Sequence, residues 1–206
     1  MFSMKRLLST ILILLLNTPL CFGALSNEDR FDLSPQREMT MSEKATLYYG
    51  DNNTEEAFQQ ILKIKDYERT PQDWLLLGNI LQDNGKNADA MFMYNRAVAI
   101  DKTYYKAYYN LANLYLEENK LNLAIQNYKL ASKYNDKFPY AYYNLGCAYL
   151  ELGQAKNAKI AFLKAIEAKN TVPEFHYNLA YTYKKLGKEK LAKKYLENYN
   201  GLTLGN

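Results

Sequence analysis

A chain of 206 residues has room for one ordinary domain or a short array of repeats. With 48 % hydrophobic and 23 % charged residues it is not a disordered chain; one histidine and two cysteines are too few for a His/Cys zinc cluster or a disulfide scaffold. The net charge of +4 is too small to demand a polyanion, and the unusual count is tyrosine, 20 against 8 Phe and 1 Trp.

Residues 1–23 read as an address. Lys5 and Arg6 form a basic start, Leu7 to Leu16 is an uncharged apolar run, and Asn17, Thr18 and Pro19 break it ahead of Cys21-Phe22-Gly23. This is the layout of a secretory signal peptide, with cleavage expected after Gly23. The apolar run falls short of the roughly 20 residues that span a bilayer. Two alternatives stay open. One is an uncleaved membrane anchor through residues 7–16. The other is a lipid-modified Cys21, disfavoured because Leu20 stands where a lipobox has a small residue. Cleavage leaves an exported chain, periplasmic or extracellular, with Cys147 as its one thiol. Residues 24–37 show no period and are expected to be a flexible lead-in.

A period of 34 residues governs the rest. Ala107-Tyr-Tyr-Asn-Leu-Ala112, Ala141-Tyr-Tyr-Asn-Leu-Gly146 and Phe175-His-Tyr-Asn-Leu-Ala180 follow one another at that spacing, and one step back lies Trp74-Leu-Leu-Leu-Gly78. Four units result: 71–104, 105–138, 139–172 and 173–206. Each reads as a helix, a tight turn and a second helix. Pro71, Pro139 and Pro173 open three of them, where a proline sacrifices no intrahelical bond. Thr70 is the expected N-cap before Pro71. Gly85, Gly153 and Gly187, with Asn119 in the second unit, occupy the turn phase, where the backbone turns left-handed. The small residues Gly78, Ala112, Gly146 and Ala180 mark close approach of two helices. Residues 38–70 read as a degenerate unit one residue shorter, with Ala45 and Tyr48 in its first helix, Ala57 and Ile61 in its second, and Gly50 to Thr54 as the turn. The last helix is expected over about 189–199, with Gly201 as its stop. Leu191, Ala192, Tyr195, Leu196 and Tyr199 would face inward, and Lys190, Lys193, Lys194, Glu197 and Asn198 would form a polar cap.

These residues resemble the tetratricopeptide repeat, patterned W-x2-L-G-x2-Y, then A-x3-F, then A, then P. The first unit carries Trp74, Leu77, Gly78, Leu81, Ala90, Tyr94 and Ala97. The second carries Tyr108, Leu111, Ala112, Tyr115, Ala124, Tyr128 and Ala131. The third carries Tyr142, Leu145, Gly146, Tyr149, Ala158, Phe162 and Ala165, and the fourth His176, Leu179, Ala180, Tyr183, Ala192 and Leu196. The unit-ending proline is missing, with Lys102, Asp136 and Asn170 in its place. The resemblance implies an all-α fold: an α-solenoid, wound as a right-handed superhelix, of four clear repeats plus one degenerate N-terminal repeat.

The resemblance also implies that first helices line a concave groove. Its candidate residues are Asn79, Tyr109, Asn110, Asn113, Tyr143, Asn144, Cys147, Tyr177, Asn178, Tyr181, Lys184 and Lys185, with Leu75, Leu76, Glu117 and Glu151 at related phases. Asn110, Asn144 and Asn178 form a ladder, similar to the asparagine ladder of O-linked N-acetylglucosamine transferases. An amide offers a donor and an acceptor, so a row of them can hold a peptide backbone, or can bond the neighbouring repeat. Both readings stand at this point. The carboxylate clamp of chaperone-binding relatives is absent, since Leu75, Tyr140 and Asn144 stand where its cations belong.

No phosphate loop, oxyanion loop or metal spacing points to an enzyme, and Cys147 with His176 makes only a weak thiol/imidazole pair. No cofactor is expected. Charge is graded: six Lys and Arg against ten Asp and Glu over 24–70, and six against three over 173–206. The function expected is an exported adaptor or assembly factor that takes a peptide or partner segment in its groove, within an envelope or membrane-associated complex. The competing reading is a self-associating envelope scaffold. The export signal argues against nucleic acid as a partner.

Overall fold

The computed structural model describes residues 37–204. The expected signal peptide, and the lead-in before Arg37, lie outside the described residues. Thr40 opens the first helix by a capping box, its hydroxyl accepting the Glu43 amide and the Glu43 carboxylate accepting the Thr40 amide. The described residues form ten α-helices paired as hairpins: α1 (Met41–Gly50) with α2 (Thr54–Leu62), α3 (Pro71–Asp83) with α4 (Asn87–Ile100), α5 (Tyr105–Glu117) with α6 (Leu121–Tyr134), α7 (Pro139–Glu151) with α8 (Ala155–Ala168), and α9 (Pro173–Lys185) with α10 (Glu189–Leu204). A short 3-10 turn, Asp66–Glu68, joins the first pair to the second. Among the described residues there is no strand, and no helix is long and apolar enough to cross a membrane.

The spacing is conserved to the residue. The odd-numbered helices from α3 onward start at 71, 105, 139 and 173, steps of 34. Gly85, Gly153 and Gly187 adopt φ of 73°, 72° and 67°, and Asn119 adopts 58°. In the short first pair the helix runs through Gly50, and Asn52 takes the left-handed turn at φ 58°. The expected Gly50–Thr54 turn is thus Asp51 to Asn53. Asn52 stands 33 residues before Gly85, so it meets the same backbone demand, and asparagine tolerates that conformation.

Two of the pairs, α3 with α4 and α7 with α8, are closed by an aromatic ring laid against a glycine. Tyr94 covers Gly78 and Phe162 covers Gly146; both rings are wholly buried. A methyl group on Gly146 would stand 2.6 Å from the Phe162 ring. Ala90, Ala124 and Ala158, also fully buried, let the second helices approach the first. Between pairs, Tyr109 meets Phe138 and Tyr143 meets Phe175, with ring centroids 4.9 Å apart in both. The Arg69 and Arg96 guanidiniums both lie over the Trp74 ring, each 4.8 Å from its centroid. Tyr94, Tyr128 and Tyr183 are buried in the core, Tyr67, Tyr140, Tyr177 and Tyr181 are exposed, and the other tyrosines are partly buried.

The last helix departs from expectation. It continues through Gly201 to Leu204, with Thr203 bonding back to the Tyr199 carbonyl. A glycine costs a helix only about 1 kcal/mol, and here the backbone ladder carries past it. Ala192 is buried, but Leu191 and Leu196, expected inward, are exposed. No following hairpin lies among the described residues to cover them.

Candidate functional site

The first helices of successive pairs touch along one side of the stack through amides and phenols. The Asn110 Nδ2 donates to Asn79 Oδ1 at 2.8 Å, a neighbour one repeat back. The Tyr94 hydroxyl lies 2.9 Å from the same oxygen and 2.8 Å from Gln82 Oε1. One repeat on, Asn144 Nδ2 donates to Asn113 Oδ1 at 3.2 Å and to Tyr109 Oη at 3.1 Å, while Tyr128 Oη donates to Asn113 Oδ1 at 2.6 Å. At the third seam Asn178 Nδ2 donates to Tyr143 Oη at 2.7 Å.

The third seam differs for a chemical reason. Tyr94 and Tyr128 carry a hydroxyl into the interior, and each has an asparagine, Asn79 or Asn113, to receive it. Phe162 has no hydroxyl, and the residue in the asparagine phase is Cys147. A buried hydroxyl needs an acceptor and a phenyl ring does not. The two positions match pair by pair within this single chain.

The ladder is therefore held between repeats on its donor side. On the other side, the carbonyl oxygens of Asn110, Asn144 and Asn178 accept no hydrogen bond among the described residues, and all three side chains are partly exposed. Asn79 and Asn113 are also partly exposed, but each Oδ1 already accepts two bonds of the network. Tyr109 and Tyr143 are half-buried in the seams, whereas Tyr177 and Tyr181 are exposed. Lys184 and Lys185 are exposed, and the Lys185 ammonium lies 5.0 Å from the Tyr181 centroid. The sequence reading overlooked Asp83, which lies one 34-residue step before Glu117 and accepts a hydrogen bond from Tyr49 Oη at 2.7 Å. The register itself carried that signal. Asp83, Glu117 and Glu151 are all exposed at one helical phase.

Cys147 is a poor nucleophile. Burial pushes its thiol up to about 11, so almost no thiolate exists near neutral pH. His176 is occupied elsewhere, with Nε2 2.8 Å from the Asn170 carbonyl and its ring stacked on Tyr195. Among the described residues no group of three His, Cys, Asp or Glu side chains is placed to hold a metal.

The buried phenols make stability depend on alkaline pH. Burial raises Tyr94 and Tyr128 well above the usual phenol value of 10.0, and Tyr143 to about 12. Burial, then Asp83, raises Tyr49 to about 12. The unfolded chain releases these protons from about pH 10 while the folded chain holds them, so stability is complete below that point and falls as pH rises toward 12. Circular dichroism melts at stepped pH should show a midpoint that is flat to pH 9 and drops steadily beyond 10. A flat profile through that range would contradict the buried network.

Known proteins place this architecture. A family model described as TPR repeat matches residues 112–153, and two described as tetratricopeptide repeat match 93–126 and the three stretches 74–104, 139–171 and 173–202. Between 74 and 202 only residue 172 is left unmatched. The chain is a tetratricopeptide-repeat protein. No curated protein matches it. Among solved structures, this tetratricopeptide-repeat protein is similar to the crystal structure of MamA, with a TM-score of 0.71, 23 % identity, and coverage of 82 % of this chain and 98 % of that one. A MamA RS-1 double mutant gives 0.70 and 18 %, covering 80 % and 93 % of the two chains. The C-terminal part of a TPR repeat-containing protein from Cytophaga hutchinsonii gives 0.67 and 23 %, covering 80 % and 67 %. At such identities the likeness is one of fold. Tetratricopeptide repeats generally mediate protein–protein contacts, and this fold is typically a non-catalytic interaction scaffold.

Proposed function

We propose that the protein is an exported adaptor or assembly factor that holds an extended segment of a partner along its first-helix face, within an envelope or membrane-associated complex. The observation that carries the reading is the ladder of Asn110, Asn144 and Asn178. Each amide is fixed by a bond to the preceding repeat and leaves its carbonyl oxygen without a partner among the described residues. The bond between repeats fixes the rotamer in advance, so little side-chain entropy is lost when a peptide N–H arrives. The two roles of the ladder, packing and ligand contact, thus use opposite edges of the same amide. Export rests on the layout of residues 1–23.

Asn110→Ala with Asn144→Ala is expected to weaken binding to a peptide array by tenfold or more, on the order of 1.4 kcal/mol, and to lower stability modestly. Tyr128→Phe is the control, because it breaks the same network from the interior and leaves the open edge intact. Equal loss of binding in both variants would assign the ladder to packing alone. N-terminal sequencing of the protein recovered from its source cells tests export, and an intact Met1 would overturn cleavage after Gly23.

A further inference from the structure

The two ends of the stack leave open the apolar positions that every internal seam closes. At the head, Leu47 stands 33 residues before Ile80, in phase with Leu114, Ala148 and Thr182 beyond it. Those four are exposed by 1 % or less; Leu47 is 54 % exposed. At the tail, Leu196 holds the phase of Tyr94, Tyr128 and Phe162, all 0 % exposed, yet it is 43 % exposed. Tyr177 repeats the contrast. Its counterparts Tyr109 and Tyr143 are covered by Phe138 and Phe175 and take a hydrogen bond from the next repeat, whereas Tyr177 is 50 % exposed. Tyr177, Tyr181, Leu196, the two lysines Lys184 and Lys193, and one acid, Glu189, line an open cavity of about 340 Å³ at this end.

What fits such a surface is the leading face of another hairpin, because that is what covers the same positions inside the stack. Charge selects which hairpin. Residues 173–206 carry six Lys against three Glu, and residues 38–70 carry four Lys and Arg against seven Asp and Glu. Two tails would set Lys184 and Lys193 against their own copies, and two heads would set acid against acid. Tail against head brings opposite charge together and restores the seam contacts. We infer that copies of this chain stack head to tail, the first repeat of one on the last repeat of the next. Such a heterologous contact does not close on two copies, so it extends unless its rotation forms a ring. This surface is distinct from the Asn110/Asn144 edge, so the two readings fail separately.

Sedimentation velocity over rising concentrations reads the state. The wild-type protein is expected to grow past a dimer and to associate about tenfold more weakly when salt screens the charges. Leu47→Lys and Leu196→Glu each remove one face and are expected to sediment as monomers. Their equimolar mixture is expected to form one heterodimer and nothing longer, since one intact head and one intact tail remain. Both leucines are exposed, and Leu47→Gln and Leu196→Gln repeat the design if a charged variant melts early. A wild-type monomer at every concentration overturns the inference, as does a mixture that stays monomeric. Dimerisation of one single variant alone would mean like-with-like pairing and overturns it too. Association that appears only after residues before 37 are removed would assign the head to the chain's own leading segment. Unchanged peptide binding by Leu47→Lys is expected throughout.

Discussion

Tyr128→Ala is expected to lower stability by about 3–5 kcal/mol, the range for truncating a large buried ring. Its ring is wholly buried in the middle of the stack, packed near Tyr109 with centroids 5.9 Å apart. Its hydroxyl donates to Asn113 Oδ1, the oxygen that also receives Asn144. The substitution therefore opens a cavity and removes one of two donors at a part-buried acceptor. Because each repeat contacts only its neighbours, the damage also uncouples the two halves of the array. Urea unfolding followed by circular dichroism should show an earlier midpoint and a broader transition, the sign of lost cooperativity. Tyr128→Phe keeps the ring and is expected to cost about 1 kcal/mol, the scale of one hydrogen bond. Equal effects from the two variants would mean that the hydroxyl, and not the ring, dominates this seam.

Gly146→Val is expected to be the second most damaging change. A side chain there runs into Phe162, with ring atoms at 2.6, 2.7 and 2.8 Å from the first added carbon. Phe162 is fully buried against neighbours that fill the space behind it. Overpacking of this kind costs about 1–3 kcal/mol, with the upper end expected for a branched residue. Gly146→Ala is expected to cost less. Ala112 occupies the same phase opposite Tyr128, so a hairpin can shift enough to take one methyl. Thermal melts of the two variants test the order. A valine variant as stable as the alanine one would show that the Phe162 ring can swing clear.

The repeat boundaries were legible because their causes are local. A proline at the first helical position, an N-capping Thr70 paired with Asp73, and a left-handed glycine at the hairpin turn each act within a few residues. The 34-residue step then carries them from unit to unit. The short first unit was legible for the same reason, although Asn52 and not Gly50 holds the turn. The end of the last helix was not. Gly201 is only a weak stop, since one glycine costs a helix about 1 kcal/mol, and the helix runs on to Leu204.

The candidate site was legible in outline only. Phase alone put Asn110, Asn144 and Asn178 on one side of the stack. It could not say which edge of each amide is spent, because that depends on partners 31 or 35 residues away across a seam. Nor could it separate Tyr109 and Tyr143 from Tyr177. All three share a phase, but Tyr109 and Tyr143 take a hydrogen bond from the following first helix, whereas no such helix lies beside Tyr177 among the described residues.

The amino-acid sequence by itself determined the hairpin, its period and its core, since capping, turn conformation and helical phase are short-range properties of the chain. Only the tertiary structure decided how each phase is used. Stacking turns identical residues into seam, open edge or exposed end according to what lies beside them, and burial is a property of the neighbour as much as of the residue.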